Sequence, residues 1–128
     1  MNKPVVRKWL DALRSGEYEQ IDGKLRRDEE NGRCCLGVLC DLYAEEHENA
    51  GWNNNAFVIR DAEDGSLVGS SPALLPKPVQ EWAGLNSKEG IKVSVGNGTV
   101  SLSGLNDGHG VEPYSFDEIA DVIDDEME

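Results

Sequence analysis

The sequence predicts an α+β fold: one small domain with about four helices, two of them short, packed on a small antiparallel sheet that includes a hairpin at 91–102. Three observations predict it. The run Cys34-Cys35-Leu36-Gly37-Val38-Leu39-Cys40-Asp41-Leu42-Tyr43 is apolar nearly all round, with little polar surface until Asp41 and Glu45. A surface helix shows one apolar stripe about 100° wide, so a short helix lacking a polar face belongs at the centre of the core. Ile91 to Leu102 alternates apolar and polar residues on either side of Asn97-Gly98, which can supply the positive φ values of a type I′ hairpin turn. Ser115 with Glu118 three residues later forms a capping box at the head of an amphipathic segment.

Taken in order, residues 2–15 form the first helix. Asn2 is its expected cap, Pro4 suits its first turn, and Val6, Trp9, Leu10 and Leu13 share one face before Gly16 stops it. Glu17 to Gly32 has no clean period and reads as an irregular connector, with one short strand at most, anchored by Tyr18 and Leu25. The central helix is expected over about 33–46, and Gly37 within it costs about 1 kcal/mol relative to Ala. Close approach of another backbone at that turn would account for it. Gly51-Trp52-Asn53-Asn54-Asn55 reads as a loop. Ala56–Arg60 and Ser66–Val68 can pair across the turn at 61–65. Pro76–Ala83 is a short helix with Val79, Trp82 and Ala83 inward, closed by Gly84. Gly104 to Pro113 reads as a loop, and the acidic C-terminal helix covers about 115–126 with Phe116, Ile119, Ala120 and Ile123 inward.

The chain has 128 residues, 38% hydrophobic and 29% charged, which fits a single domain over 1–128 with one modest core. Its formal net charge is -13. The acidity is uneven: residues 1–33 carry eight Lys/Arg against seven Asp/Glu, and the rest of the chain carries four against eighteen. Such a field repels phosphate, so direct binding to nucleic acid or to an anionic membrane is not expected. No window approaches the roughly 18 apolar residues of a membrane span, and the start of the chain lacks the apolar region of a signal peptide. Three cysteines, two of them adjacent, make no disulfide framework; a reduced cytosolic setting is expected.

The segments Trp9 to Gln20, Cys34 to Leu42, Leu75-Pro76 with Trp82 and Leu85, Leu105-Asn106-Asp107 and Ser115 to Asp121 resemble a family of small uncharacterised proteins encoded by tailed bacteriophages. The resemblance spans nearly the whole chain. It carries no activity and no site residues. It implies a setting: a phage product acting in the cytoplasm of the bacterial host.

Four chemical readings compete. Three cysteines and two histidines raise zinc, but Cys35 and Cys40 on one helix point roughly 140° apart. Cys40 and His47 lie about 10 Å apart along the same face, too far for one tetrahedral ion. No metal and no cofactor is expected. A Cys/His hydrolase is the enzymatic alternative: Cys34 or Cys35 as nucleophile at a helix start beside Arg33, His109 as base, Asp107 or Asn106 to orient it, and Gln20 as oxyanion donor. A ligand site for a nucleotide immune signal is a second alternative, with Arg26, Arg27 and Arg33 for phosphates, Trp52 for stacking, and Asn106 and Asn53 to Asn55 for hydrogen bonds. The leading expectation is non-enzymatic. Asp117, Asp121, Asp124 and Asp125 give the last helix an acidic face that can imitate a row of phosphates and bind a host protein, with a component of a defence system as the expected target.

Overall fold

Val5, Val6, Trp9, Leu10 and Leu13 recur at helical spacing, and in the computed structural model of the chain they form the buried face of α1 (Lys3–Arg14). The structure describes residues 2–21, 24–26, 32–53, 55–85, 87–95, 98–108 and 112–127. Pro4 sits in the first turn, where the amide it lacks has no helical partner. Asn2 does not cap α1 through its side chain. Its Nδ2 donates to the Trp82 carbonyl at 3.1 Å and its backbone amide to Ala83 at 2.9 Å, tying the chain start to the end of α3 (Lys77–Ala83).

The connector after α1 holds two short strands rather than one. β1 (Glu19–Gln20) pairs in parallel with β2 (Gly32–Arg33), and Arg26 bridges to Arg33. Two-residue strands show no period, so nothing in the sequence marks them. Leu25 is fully buried and Tyr18 half-buried, as the anchoring role required. The acidic residues Asp28, Glu29 and Glu30 lie outside the described residues.

α2 (Cys35–Glu46) is the centre of the molecule, and every residue from Cys35 to Cys40 is buried. It starts two residues later than expected, because Cys34 is its cap: the Sγ accepts the Gly37 amide at 3.4 Å. The close backbone approach expected at Gly37 is that of Leu25. A Cβ at Gly37 would overlap the Leu25 carbonyl oxygen and lie 2.9 Å from its carbon. The Trp9 indole donates to the Cys35 carbonyl at 2.9 Å, fixing α1 against the head of α2.

β3 (Ala50–Asn53), β4 (Ala56–Arg60) and β5 (Leu67–Ser71) form an antiparallel sheet in that order. The β4–β5 hairpin matches the expected pairing, although β5 runs on to Ser71. β3 replaces the expected loop at 51–55: Trp52 stands opposite Phe57 and packs on its edge, 5.0 Å between centroids, and this pairing outweighs the turn propensity of the flanking asparagines. Gly84 closes α3 in the left-handed region at φ 70°, and Trp82 is half-buried rather than fully inward.

β6 (Lys92–Val95) and β7 (Gly98–Ser101) make the expected hairpin. Its register sets Gly98 opposite Val95, so Gly98 is the first residue of β7 and not a central residue of the turn. Asn97 lies outside the described residues. The expected loop from Gly104 is instead α4 (Leu102–Asp107), begun by Ser101, whose Oγ accepts the Gly104 amide at 3.1 Å, and held by buried Leu102 and Leu105. α5 (Phe116–Met127) carries the predicted capping box: Ser115 Oγ accepts the Glu118 amide at 3.2 Å, and Glu118 Oε1 accepts the Ser115 amide at 3.1 Å. Phe116, Ile119, Ala120 and Ile123 are buried. The described residues therefore hold five helices, one more than expected, and small sheets in an α+β domain around a single core cluster.

Candidate functional site

A cysteine nucleophile must present a thiolate to solvent, and the three thiols here do the opposite. Cys34 is 5% exposed, Cys35 and Cys40 are wholly buried, and none is bonded to another. Burial pushes the Cys34 thiol from its ordinary value of 9.0 up to about 11, against the lowering effect of the Gly37 amide. Burial holds Cys35 and Cys40 well above their ordinary value too. The Cys35 thiol is directed at the Leu102 carbonyl, 3.6 Å away.

Of the proposed hydrolase set, Gln20, Asn106 and Asp107 do meet, but as scaffolding. Asn106 is 3% exposed. Its Oδ1 accepts from Gln20 Nε2 at 3.0 Å and from the Cys35 amide at 3.2 Å, and its Nδ2 donates to the Ile21 carbonyl at 2.7 Å and to Asp107 at 3.0 Å. Gln20 also donates to the Tyr114 carbonyl at 2.7 Å. Every polar atom of the Asn106 amide is thus occupied in joining α4, α2 and the strand end after β1. A shallow cleft of about 470 Å³ opens over this knot between Gln20, Asn106 and Tyr114, and neither Cys34 nor Cys35 lines it. His109 lies outside the described residues.

The candidate ligand residues converge on Asp41, the polar residue that interrupts the apolar run of α2. Arg33 Nε donates to Asp41 Oδ2 at 3.0 Å and the Trp52 indole donates to Oδ1 at 2.6 Å. Burial and the negative field of Asp41 push the Tyr18 phenol up to about 12. Arg33 also donates to its neighbour's carbonyl at Gly32, 2.9 Å away. Arg26 and Arg33 both lie over the Trp52 ring, 5.6 and 5.2 Å from its centroid. Arg26, Arg33 and Trp52 do come together, as the sequence suggested. Asn106 belongs to the separate knot above, and Arg27 lies outside the described residues. The charge of Arg33 is matched by Asp41, and its side chain is 9% exposed. The stacking surface of Trp52 is covered by guanidinium groups. This is a buried ion pair with aromatic cover, which stabilises the junction of β2, α2 and β3 rather than opening toward phosphate.

A family model described as a domain of unknown function (DUF8296) matches residues 1–127. The chain belongs to this family. No curated protein and no solved structure matches it.

What this DUF8296 domain leaves toward solvent is acidic. On α5, Asp117, Glu118, Asp121 and Asp125 are exposed and Asp124 is half-exposed. Asp117, Asp121 and Asp125 fall four residues apart, roughly 6 Å along one stripe of the helix. Arg14 of α1 donates to Asp121 at 2.8 Å and lies 3.7 Å from Asp124, raising its own pKa through those carboxylates. Among the described residues the acidic face therefore has one counter-charge, at its α1 side, and Asp117 and Asp125 extend beyond it. No helix among the described residues is long and apolar enough to cross a membrane, and no group of His, Cys, Asp or Glu among them could hold a metal ion. Asp41 is the site residue that the sequence reading passed over. Its signal was present: a lone carboxylate inside a buried run demands partners.

Proposed function

We propose that this protein is a phage-encoded accessory factor that acts without catalysis in the bacterial cytoplasm, binding and blocking a host protein of a defence system. The exposed carboxylates of α5 carry this reading. A rigid row at Asp117, Asp121 and Asp125, on a helix anchored by its buried face, offers a phosphate-like array to a groove built for nucleic acid. The net charge of -13 steers the encounter toward basic surfaces. Closure of all three thiols opposes the hydrolase alternative, and the internal pairing of Arg33 opposes the nucleotide sponge.

The test is capture from host lysate at physiological salt, read beside phage growth on strains carrying different defence systems. The tagged chain is expected to retain a host protein, to raise plating on the strain that contains it, and to lose both properties in the Asp117→Lys/Asp121→Lys/Asp125→Lys variant. No retained protein, together with unchanged plating on every strain, overturns the proposal. A nucleotide released by heating the purified protein would replace it with the sponge.

A further inference from the structure

In the β3–β4–β5 sheet, side chains alternate between two faces. Phe57 and Ile59 point into the core and are buried. The pairs Gly51↔Val58 and Asn53↔Ala56 define the opposite face, with Arg60 two residues further along β4. Among the described residues no element covers that face at Gly51: a Cβ built there would meet none of them within 4 Å, and its φ lies outside the left-handed region. The uncovered face forms the floor of an open trough of about 810 Å³. Its walls are the end of α2, through Glu46, His47 and Glu48, and the β4–β5 turn at Asp61.

The groups on these walls are mostly hydrogen-bond acceptors. Glu46, Glu48 and Asp61 are exposed carboxylates; Glu46 meets Lys8 of α1 at 3.4 Å, and Asp61 keeps one oxygen on the Glu63 and Asp64 amides of its own turn. α2 ends here with no basic residue in its last turn, so its negative end is uncompensated by its own side chains. His47 is stacked on Tyr43, 3.8 Å between centroids, and its Nδ1 donates to the Tyr43 carbonyl at 2.8 Å. In the neutral ring this leaves Nε2 as an acceptor. Arg60 is the one guanidinium among the described lining residues, and it leans back toward the Gly65 carbonyl at 3.4 Å.

We propose that this trough is a docking site for an extended, basic segment of a partner protein, with alternate Lys or Arg side chains meeting the carboxylate walls and the backbone lying over Gly51 and Val58. Charge complementarity selects that occupant: with Glu46 offset by Lys8, an anionic segment would still face Glu48, Asp61 and a helix C-terminus, and a second copy of a chain at net charge -13 would repel this one. The inference rests on the protein-binding reading and gives it a second surface, remote in sequence from α5.

The probe is a blocked Lys-Val-Arg-Val-Lys-Val peptide, titrated into the labelled full chain at about 150 mM salt and followed by amide and indole resonances. Saturable shifts are expected at the amides of Gly51, Asn53 and Val58, with the Trp52 indole on the other face of the sheet unmoved as an internal control, and with no shifts from a Glu-Val-Glu-Val-Glu-Val peptide. Glu48→Lys with Asp61→Lys should weaken binding by about tenfold or more, and Arg60→Ala should tighten it about twofold. Gly51→Leu changes no charge and places its side chain in open space, so it should abolish binding while leaving the circular dichroism and melting curve intact. No saturable shift, shifts confined to α5, or full binding by Gly51→Leu overturns the trough. A host protein captured by the wild type and equally by Gly51→Leu overturns it while leaving the protein-binding reading standing. Failure to capture any host protein sinks that reading and leaves the peptide mapping to stand or fall separately.

Discussion

At Gly37 two effects of opposite sign compete. Ala is favoured over Gly in a helix by about 1 kcal/mol, so Gly37→Ala would ordinarily stabilise α2. Here the added methyl meets the Leu25 carbonyl, which is backbone and cannot rotate away. Overpacking of this kind costs about 1–3 kcal/mol, and the net expectation is a lower urea midpoint at unchanged m-value. An unchanged or raised midpoint would place Leu25 further from α2. The cysteines give a second test at this scale. Iodoacetamide at neutral pH should leave the native protein unmodified, whereas in urea all three thiols react; mass spectrometry reads both. Rapid labelling of a single native cysteine would contradict their burial and reopen the hydrolase alternative. Burial of Cys34, Cys35 and Cys40 was legible in advance because they stand in a run of eight apolar residues, themselves included, that leaves almost no polar face. Asp41 shows the reverse case, a charge whose partners, Arg33 and Trp52, come from strands on either side of α2 and so leave no local pattern.

Among the elements, those with a full period or a complete cap were legible, and those made by pairing alone were not. α5 declared itself through Ser115 and Glu118, and the box formed as expected. Ser115→Ala should therefore cost about 1 kcal/mol, the usual value of a lost N-cap, seen as a lower melting temperature. Glu118→Ala should cost less, because the Ser115 Oγ bond to the residue 118 amide survives it. α4 escaped because six residues with a glycine inside carry little helical signal, and its cap, Ser101, also closes a strand. β3 escaped because Trp52 sits among residues typical of turns. Its strand character comes from the cross-strand contact with Phe57, a tertiary effect. In the candidate site, Arg26, Arg33 and Trp52 lie together, but as an internal cluster whose engagement depends on Asp41 and could not be read from types and spacing.

Across the whole molecule, the raised thiols and phenol couple stability to pH in one direction. Cys34, Cys35, Cys40 and Tyr18 keep their protons in the folded chain where the unfolded chain has lost them. The folded state then binds more protons, and stability falls as pH rises. Their contribution is complete below the ordinary thiol value of 9.0 and is lost as pH climbs through about 11 for Cys34 and about 12 for Tyr18. Urea midpoints should be level near neutrality and decline across that alkaline window; a Cys34→Ser/Cys35→Ser/Cys40→Ser variant, if it folds, should decline later. A midpoint that rises with pH there would contradict the burial of these groups. Leu25 has a further consequence, this time for exchange of its amide with solvent. Its N–H donates to the Pro72 carbonyl at 2.9 Å and its C=O accepts from Cys34 at 3.3 Å, so one residue in an irregular connector joins the end of the β-sheet to the head of the central helix. An amide in such a stretch ordinarily exchanges by local fraying. Here the Cys34 bond to its carbonyl and the close contact with Gly37 hold the residue against that fraying, so in heavy water its amide should exchange slowly, near the rate of the amides of α2.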